Sequence, residues 1–214
     1  MKAARTSRTR GRRATRPSGD DRELAILSTL ERLLEKHPIG EISVDDLAKG
    51  AGLSRPTFYF YFPSKDAVLL RLFEQVVTAA DATLRGRAGT LPDDPVRGWR
   101  DGIYAFFDAL RSHRAVALAG LTARATNAEM RRLWSTFMCS WIDYTAELIT
   151  AERARGAAPD TIPAHDLATA LNLMNERVVF ASSSNDEPAL PEDAALETLV
   201  YIWVTSIYGD QRRT

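Results

Sequence analysis

Residues 43–62 constrain this chain more than any other stretch. Ser43-Val44-Asp45-Asp46 has the form of a capping box with Asp in place of Glu, and it starts a short helix. Gly50-Ala51-Gly52 ends that helix, with Gly52 where a left-handed residue is needed. Ser54 opens a second short helix that carries Pro56 in its first turn, where proline is tolerated, and runs to about Phe60 or Tyr61. Two short helices across a glycine-bearing turn make a helix-turn-helix. Ala48 is small enough for the second helix to approach closely, and Leu53 can bury itself between the two. Phe58 and Phe62, four apart, then face inward with Val44 and Leu47. Arg55, Thr57, Tyr59 and Tyr61 are left for the outward side.

The rest of the chain reads as helix wherever it is periodic. Leu24, Ile26, Leu27, Leu30, Leu33 and Leu34 form an apolar face that Ser18 or Asp20 can cap and His37-Pro38 closes. Pro63-Ser64-Lys65-Asp66 restarts a long helix through Val68, Leu69, Leu72, Phe73, Val76 and Val77. After a Gly/Pro/Asp-rich stretch from Gly86 to Pro95, helices are predicted at about 95–111, 114–124, 127–154, 163–182 and 191–208. The fold class is therefore all-α, about nine helices: a three-helix N-terminal domain followed by a helical bundle. The predicted division is an arm at 1–17, a helix-turn-helix domain at 18–66 and a ligand-binding and dimerisation domain at 67–214.

Charge bears on partners. The formal net charge is zero, yet residues 1–16 hold seven Lys/Arg and no acid, which leaves 28 − 7 = 21 basic against 28 acidic residues beyond them. Such an arm can neutralise phosphates, and it can equally be a solubilising tail. No stretch is long and apolar enough for a bilayer, and residues 1–16 lack the apolar region of a signal peptide, so the expected location is the cytoplasm. Chemistry is poorly served. No G-x-S-x-G, P-loop or dinucleotide glycine motif is present, and no enzyme, cofactor or metal site is expected. His37, His113 and His165 fall near helix ends without a second histidine at ligand spacing. Cys139, the single cysteine, reads as a small packing residue beside Met138 and Trp141.

The outward residues suit DNA. Arg55 can grip guanine or phosphate, Thr57 offers a hydroxyl and a methyl, and Tyr59 and Tyr61 offer phenols to phosphates. Lys65 could place an ammonium on the backbone, while Ser43 and Ser54 start helices whose N–H groups favour anions. A packed aromatic cluster without a ligand is the competing reading. The run from Arg55 to Val68, Arg55-Pro56-Thr57-Phe58-Tyr59-Phe60-Tyr61-Phe62-Pro63-Ser64-Lys65-Asp66-Ala67-Val68, resembles the signature of the TetR family of repressors. Ile42 to Ala48 and Ala51 to Ser54 fit the same pattern. The resemblance implies a dimeric, ligand-released repressor with DNA contacts from Ser43, Ser54, Arg55, Pro56, Thr57, Tyr59, Tyr61 and Lys65. It also implies dimerisation through the last two helices, about 163–182 and 193–208.

All four tryptophans lie beyond the helix-turn-helix. Trp134 and Trp141, seven apart, share a helix face with Met138 between them and Tyr144 and Thr145 beyond. Trp99 shares its face with Gly102 and Phe106. Asn172, Asn175 and Glu176 put polar groups on an otherwise apolar face, which is costly unless something satisfies them. An aromatic core and an elongated apolar chamber both fit this pattern. Stretches at 15–27, 133–138, 168–177 and 202–209 are similar to a mycobacterial branch of the family. That likeness implies a lipophilic tunnel lined by Trp99, Gly102, Phe106, Trp134, Met138, Trp141, Tyr144, Thr145, Asn172, Asn175, Glu176, Phe180 and Trp203. Asn172 and Asn175 would supply its hydrogen bonds. The likeness also implies a target gene for a flavin-dependent monooxygenase of the ethionamide-activating type.

Overall fold

Each predicted cap works as a cap. In the computed structural model, which describes residues 18–86, 94–184 and 187–209, Ser18 accepts from the Asp21 N–H and starts α1 (Gly19–Leu34). Ser43 does the same from Asp46 for α2 (Val44–Gly50), with the Asp46 carboxylate returning to the Ser43 N–H, so the box closes with Asp. Ser54 accepts from Thr57 at the head of α3 (Arg55–Tyr61). Gly52 takes φ 68°, a conformation that would strain any side chain, and this turns α2 into α3. The basic stretch at 1–17 and residues 87–93 of the Gly/Pro/Asp-rich stretch lie outside the described residues.

Six further helices follow among the described residues: α4 (Lys65–Gly86), α5 (Pro95–Ser112), α6 (Arg114–Ala123), α7 (Ala128–Ala154), α8 (Ala164–Ser184) and α9 (Glu192–Tyr208). The described residues contain no strand. Helix α1 begins earlier than its apolar periodicity, because Gly19–Arg22 form an acidic first turn that favours the positive helix end. Helix α4 packs on α1, α5, α6 and α7, and α7 with α8 and α5 with α9 complete the bundle.

One apolar cluster runs without a break from Leu30, Leu47 and Phe58 through Phe73 and Val77 of α4 to Met130, Trp134 and Trp141 of α7. Phe73 is fully buried, and a side chain of that size contributes about 1.5–3 kcal/mol by leaving water. A second cluster, built on Trp99, Ile149, Leu171 and Trp203, fills the far end of the bundle. Cys139 does not pack in either. It is exposed, because it sits about 100° round the helix from Met138 while Met138 and Trp141 face inward.

Candidate DNA-reading face and ligand chamber

Burial of Phe58 and Phe62 sets the orientation of α3. Both lie in the core, with Phe58 wholly enclosed and Leu47 and Ala48 of α2 beneath it. The opposite side of this seven-residue helix therefore faces out. Arg55 and Pro56 are exposed, Tyr59 is 46% exposed and Thr57 is half-buried at its rim. Arg55 Nη1 donates to Asp45 Oδ2 at 3.4 Å and Nη2 to the Tyr59 hydroxyl at 3.4 Å, with the guanidinium 5.8 Å from the centre of the Tyr59 ring. Tyr59, then Asp45, hold the Arg55 pKa above its ordinary value. Weak contacts on an exposed side leave this charge easy to redirect.

Three of the expected contacts are engaged elsewhere. The Ser43 N–H and hydroxyl both donate to Asp46, at 3.0 and 2.6 Å. Lys65 Nζ donates to the carbonyls of Ile39, Gly40 and Ile42 at 2.8, 3.4 and 2.9 Å, closing the turn between α1 and α2. Tyr61 is half-buried, packed against the core and in edge contact with Phe60 at 5.3 Å. Phe60, to which the sequence pattern assigned no side, is 83% exposed on the same helix. Its position next to the outward Tyr59 was the available signal.

In the bundle, the apolar residues read as chamber lining fall into two groups, one in each apolar cluster. Trp134 and Trp141 meet edge to face with centroids 5.9 Å apart, and Phe106 stands edge-on to Trp141 at 5.2 Å. Met138 lies buried on the same α7 face, and half-buried Phe180 packs against this cluster. Trp99 and Trp203 pair at 5.3 Å in the second cluster, toward the other end of the bundle. Gly102 faces Leu84 of α4, with room for a Cβ.

The polar groups are mostly satisfied within the protein. Asn175 Oδ1 accepts from Trp203 Nε1 at 3.0 Å, and its amide nitrogen has no hydrogen-bond partner among the described residues. Asn172 Nδ2 donates to Thr145 Oγ1 at 3.1 Å and to the Ala168 carbonyl, while Thr145 donates to the Trp141 carbonyl. Glu176 pairs with Arg124 at 2.6 Å, and the Arg124 guanidinium lies 5.2 Å from the centre of the Trp134 ring. Tyr144 has its pKa raised by burial, which Arg85, 5.5 Å from its ring centre, partly opposes. Trp99 Nε1 donates to the Tyr208 hydroxyl at 3.1 Å, and that hydroxyl donates to the buried Glu152 at 2.7 Å. Arg124, Glu152 and Tyr208 went unread in the sequence. Glu152 and Tyr208 sit on different helices from the residues they serve and Arg124 caps the end of α6, and a helical period carries no information across elements.

Residues 99–209 match the family model described as "Transcriptional regulator EthR, C-terminal domain", and residues 26–72 match "Bacterial regulatory proteins, tetR family". The chain is 62% identical over 211 residues to the HTH-type transcriptional regulator EthR of Mycobacterium tuberculosis, covering 98% of each chain. It is 55% identical over 207 residues to the regulator of the same name from Mycolicibacterium smegmatis, covering 97% of this chain and 95% of that one. A crystal structure of a TetR-family regulator from Rhodococcus shares the fold, with a TM-score of 0.71 at 15% identity over 87% of this chain and 99% of the other.

Proposed function

The chain belongs to the TetR family of bacterial transcriptional regulators, within its EthR-like branch, and from that premise we propose that it is a repressor released from its operator by a lipophilic small molecule. The observation that carries this reading is the pairing of an outward-facing α3 with an aromatic-walled bundle, joined through α4, with α1 also packed on α6.

Residues 18–66 form the reading unit and 67–214 the sensing and dimerising unit. Arg55, Pro56, Thr57 and Tyr59 are the groups that meet the major groove, entering from the N-terminal half of α3. Ser54 and Tyr61 touch the backbone from the two ends of that helix, and Ser43 and Lys65 hold the reading unit in shape while lying at its phosphate-facing edge. Helices α8 and α9 pair with those of a second copy, which places two α3 helices about 34–36 Å apart on successive turns of one DNA face. The effector lies among the rings of Trp99, Phe106, Trp134, Trp141 and Trp203, with Met138, Tyr144, Gly102 and Phe180 completing the walls. Asn175, whose amide nitrogen is uncommitted, is the hydrogen-bond donor to it, with Asn172, Thr145 and Glu176 beside it. No helix among the described residues is long and apolar enough to cross a membrane, and action on DNA in the cytoplasm is part of this proposal. The target that likeness favours is a gene for a flavin-dependent monooxygenase.

The test is binding of the purified protein to the DNA beside its own gene, titrated with salt and with N-octylbenzamide, an apolar chain bearing one amide. Specific binding that weakens with salt and is reversed by the amide is the expected result. Specific binding that no apolar compound disturbs would leave a repressor whose bundle is only a core.

A further inference from the structure

Between α4 and α7 lies a polar clasp that the DNA-reading face and the chamber walls do not account for. Asp81 of α4 is the hub. Its Oδ1 accepts from Trp141 Nε1 at 2.9 Å, and both its oxygens accept from Arg85 Nε, at 3.0 and 3.1 Å. Arg85, one turn on, reaches across to the hydroxyl and carbonyl of Ser140 and lies over the ring of Tyr144. Two helices that otherwise meet through apolar side chains are thus joined at one place by directional bonds.

The partners matter more than the bonds themselves. Trp141 is buried and touches Phe106, Trp134 and Phe137, so any molecule among those rings displaces or tilts it. Helix α4 begins at Lys65, whose ammonium holds the α1–α2 turn, so a shift of α4 along or about its axis is delivered to α2 and α3. Apolar contacts tolerate sliding. An indole N–H bonded to a carboxylate that is also pinned by a guanidinium does not, because charge-assisted bonds fall away steeply with distance and angle.

We infer that Asp81 is the positioning residue that converts movement of Trp141 into movement of α4, so that the Asp81–Trp141 bond carries chamber occupancy to the recognition helix. This rests on the effector-released reading given above. Neither Asp81 nor Arg85 touches the effector or the DNA in it. A ligand can shift such an equilibrium only by binding its two states differently, and this bond is one that differs between them.

Four proteins test it: the wild type, Asp81→Asn, Trp141→Phe and the double variant. Each is measured for N-octylbenzamide binding by tryptophan fluorescence, and for operator affinity with and without the amide. Glu74→Gln is the control, since Glu74 is on the same helix and pairs with Arg71 at the surface, away from the clasp. The expected result is that Asp81→Asn keeps amide binding and operator affinity within about twofold, while the amide-induced weakening of operator binding drops by about tenfold, the scale of one charged hydrogen bond. Trp141→Phe removes the N–H together with part of the chamber wall, so its amide affinity changes and its coupling is read at saturating amide, where the operator weakening shows the same loss and the double variant is no worse than either single one. Full amide response in a folded Asp81→Asn, or strictly additive losses in the double variant, would overturn the relay while leaving the repressor reading intact. A wild type that binds operator and ignores the amide would instead remove the effector reading, and the relay with it. Should Asp81→Asn melt well below the wild type, Trp141→Phe at saturating amide decides, because it leaves the Asp81–Arg85 pair in place and full weakening of operator binding there would overturn the relay.

Discussion

Phe73 of α4 lies against Trp134 of α7 with ring centroids 5.9 Å apart, and the same ring occupies the space that Gly120 leaves on α6. A Cβ at position 120 would meet Phe73 Cδ2, Cε2 and Cγ within 2.7 Å, so α6 can approach α4 only as glycine. Gly120→Ala therefore sets two effects against each other. Alanine gains about 0.5–1 kcal/mol in a helix interior, and forcing a methyl into a packed ring costs about 1–3 kcal/mol. The clash wins, since Phe73 is fully buried and has no free direction. A melting temperature lower by about 2–6 °C is expected, and an unchanged or raised one would mean that the ring turns freely.

Lys65 allows two roles to be separated by a salt titration. Its ammonium is bonded to three carbonyls of the α1–α2 turn. Lys65→Met keeps the aliphatic stem and leaves those carbonyls to water, at a cost of about 1–3 kcal/mol. Operator affinity falls for every sequence alike. If the ammonium only holds the turn, the slope of log affinity against log salt stays as in the wild type. If it also neutralises a phosphate, the slope shallows by about 0.9. The geometry favours the unchanged slope.

How much of this was legible in the residues divides along a physical line. Caps, turns and inward faces are local: Ser18, Ser43, Ser54 and Gly52 declare themselves within four residues, and the structure uses each as its type suggests. The pairing of Trp134 with Trp141 was likewise visible, because a seven-residue step on one helix keeps both on one face. Contacts between helices were not. The Asp81–Trp141 bond, the Arg124–Glu176 pair and the bonding of Lys65 to the α1–α2 turn join residues 23 to 60 positions apart, and no periodicity records them. Cys139 differs for another reason: it follows the buried Met138 in sequence, but a helix turns each neighbour away, so adjacency does not carry burial.

Acid should loosen the reading unit first. Backbone and side-chain bonds from Ser18 hold Asp21 below its ordinary pKa of 3.8, and bonds from Ser43 hold Asp46 below the same value. A carboxylate depressed on folding adds stability that is present above its unfolded pKa and lost as pH falls through the folded one. Helices α1 and α2 thus lose their capping boxes below about pH 4. Asp21→Asn with Asp46→Asn should flatten the fall in melting temperature below about pH 4. An unaltered fall would assign acid sensitivity to other carboxylates.

Asn175 and Trp203 are a buried donor–acceptor pair, so removing one is worse than removing both. Asn175→Leu strands the Trp203 N–H in the second cluster and costs about 1–3 kcal/mol. Adding Trp203→Phe takes away the stranded donor and should recover part of that loss, at the expense of some ring area. The ligand readout is separate. Asn175→Leu weakens N-octylbenzamide binding by about tenfold through the lost amide donor, while an alkylbenzene of equal length is held as before. Equal loss for both compounds would make Asn175 a packing residue of the chamber and nothing more.

The proposed dimer can be tested from one exposed face. Leu173 of α8 and Tyr201 of α9 are each about half exposed, 51% and 52%, although both helices bury their other sides against the bundle. In a twofold dimer every interface substitution appears twice, so a single charge on either position brings two like charges into the contact. Leu173→Glu and Tyr201→Asp are expected to give monomers by light scattering with melting of the isolated protomer still cooperative. Operator affinity should fall by about 10²–10⁴, because one recognition helix then binds without its linked partner. A dimer that persists in both variants would place the contact on another face and would require a new route to the 34–36 Å spacing that the DNA demands.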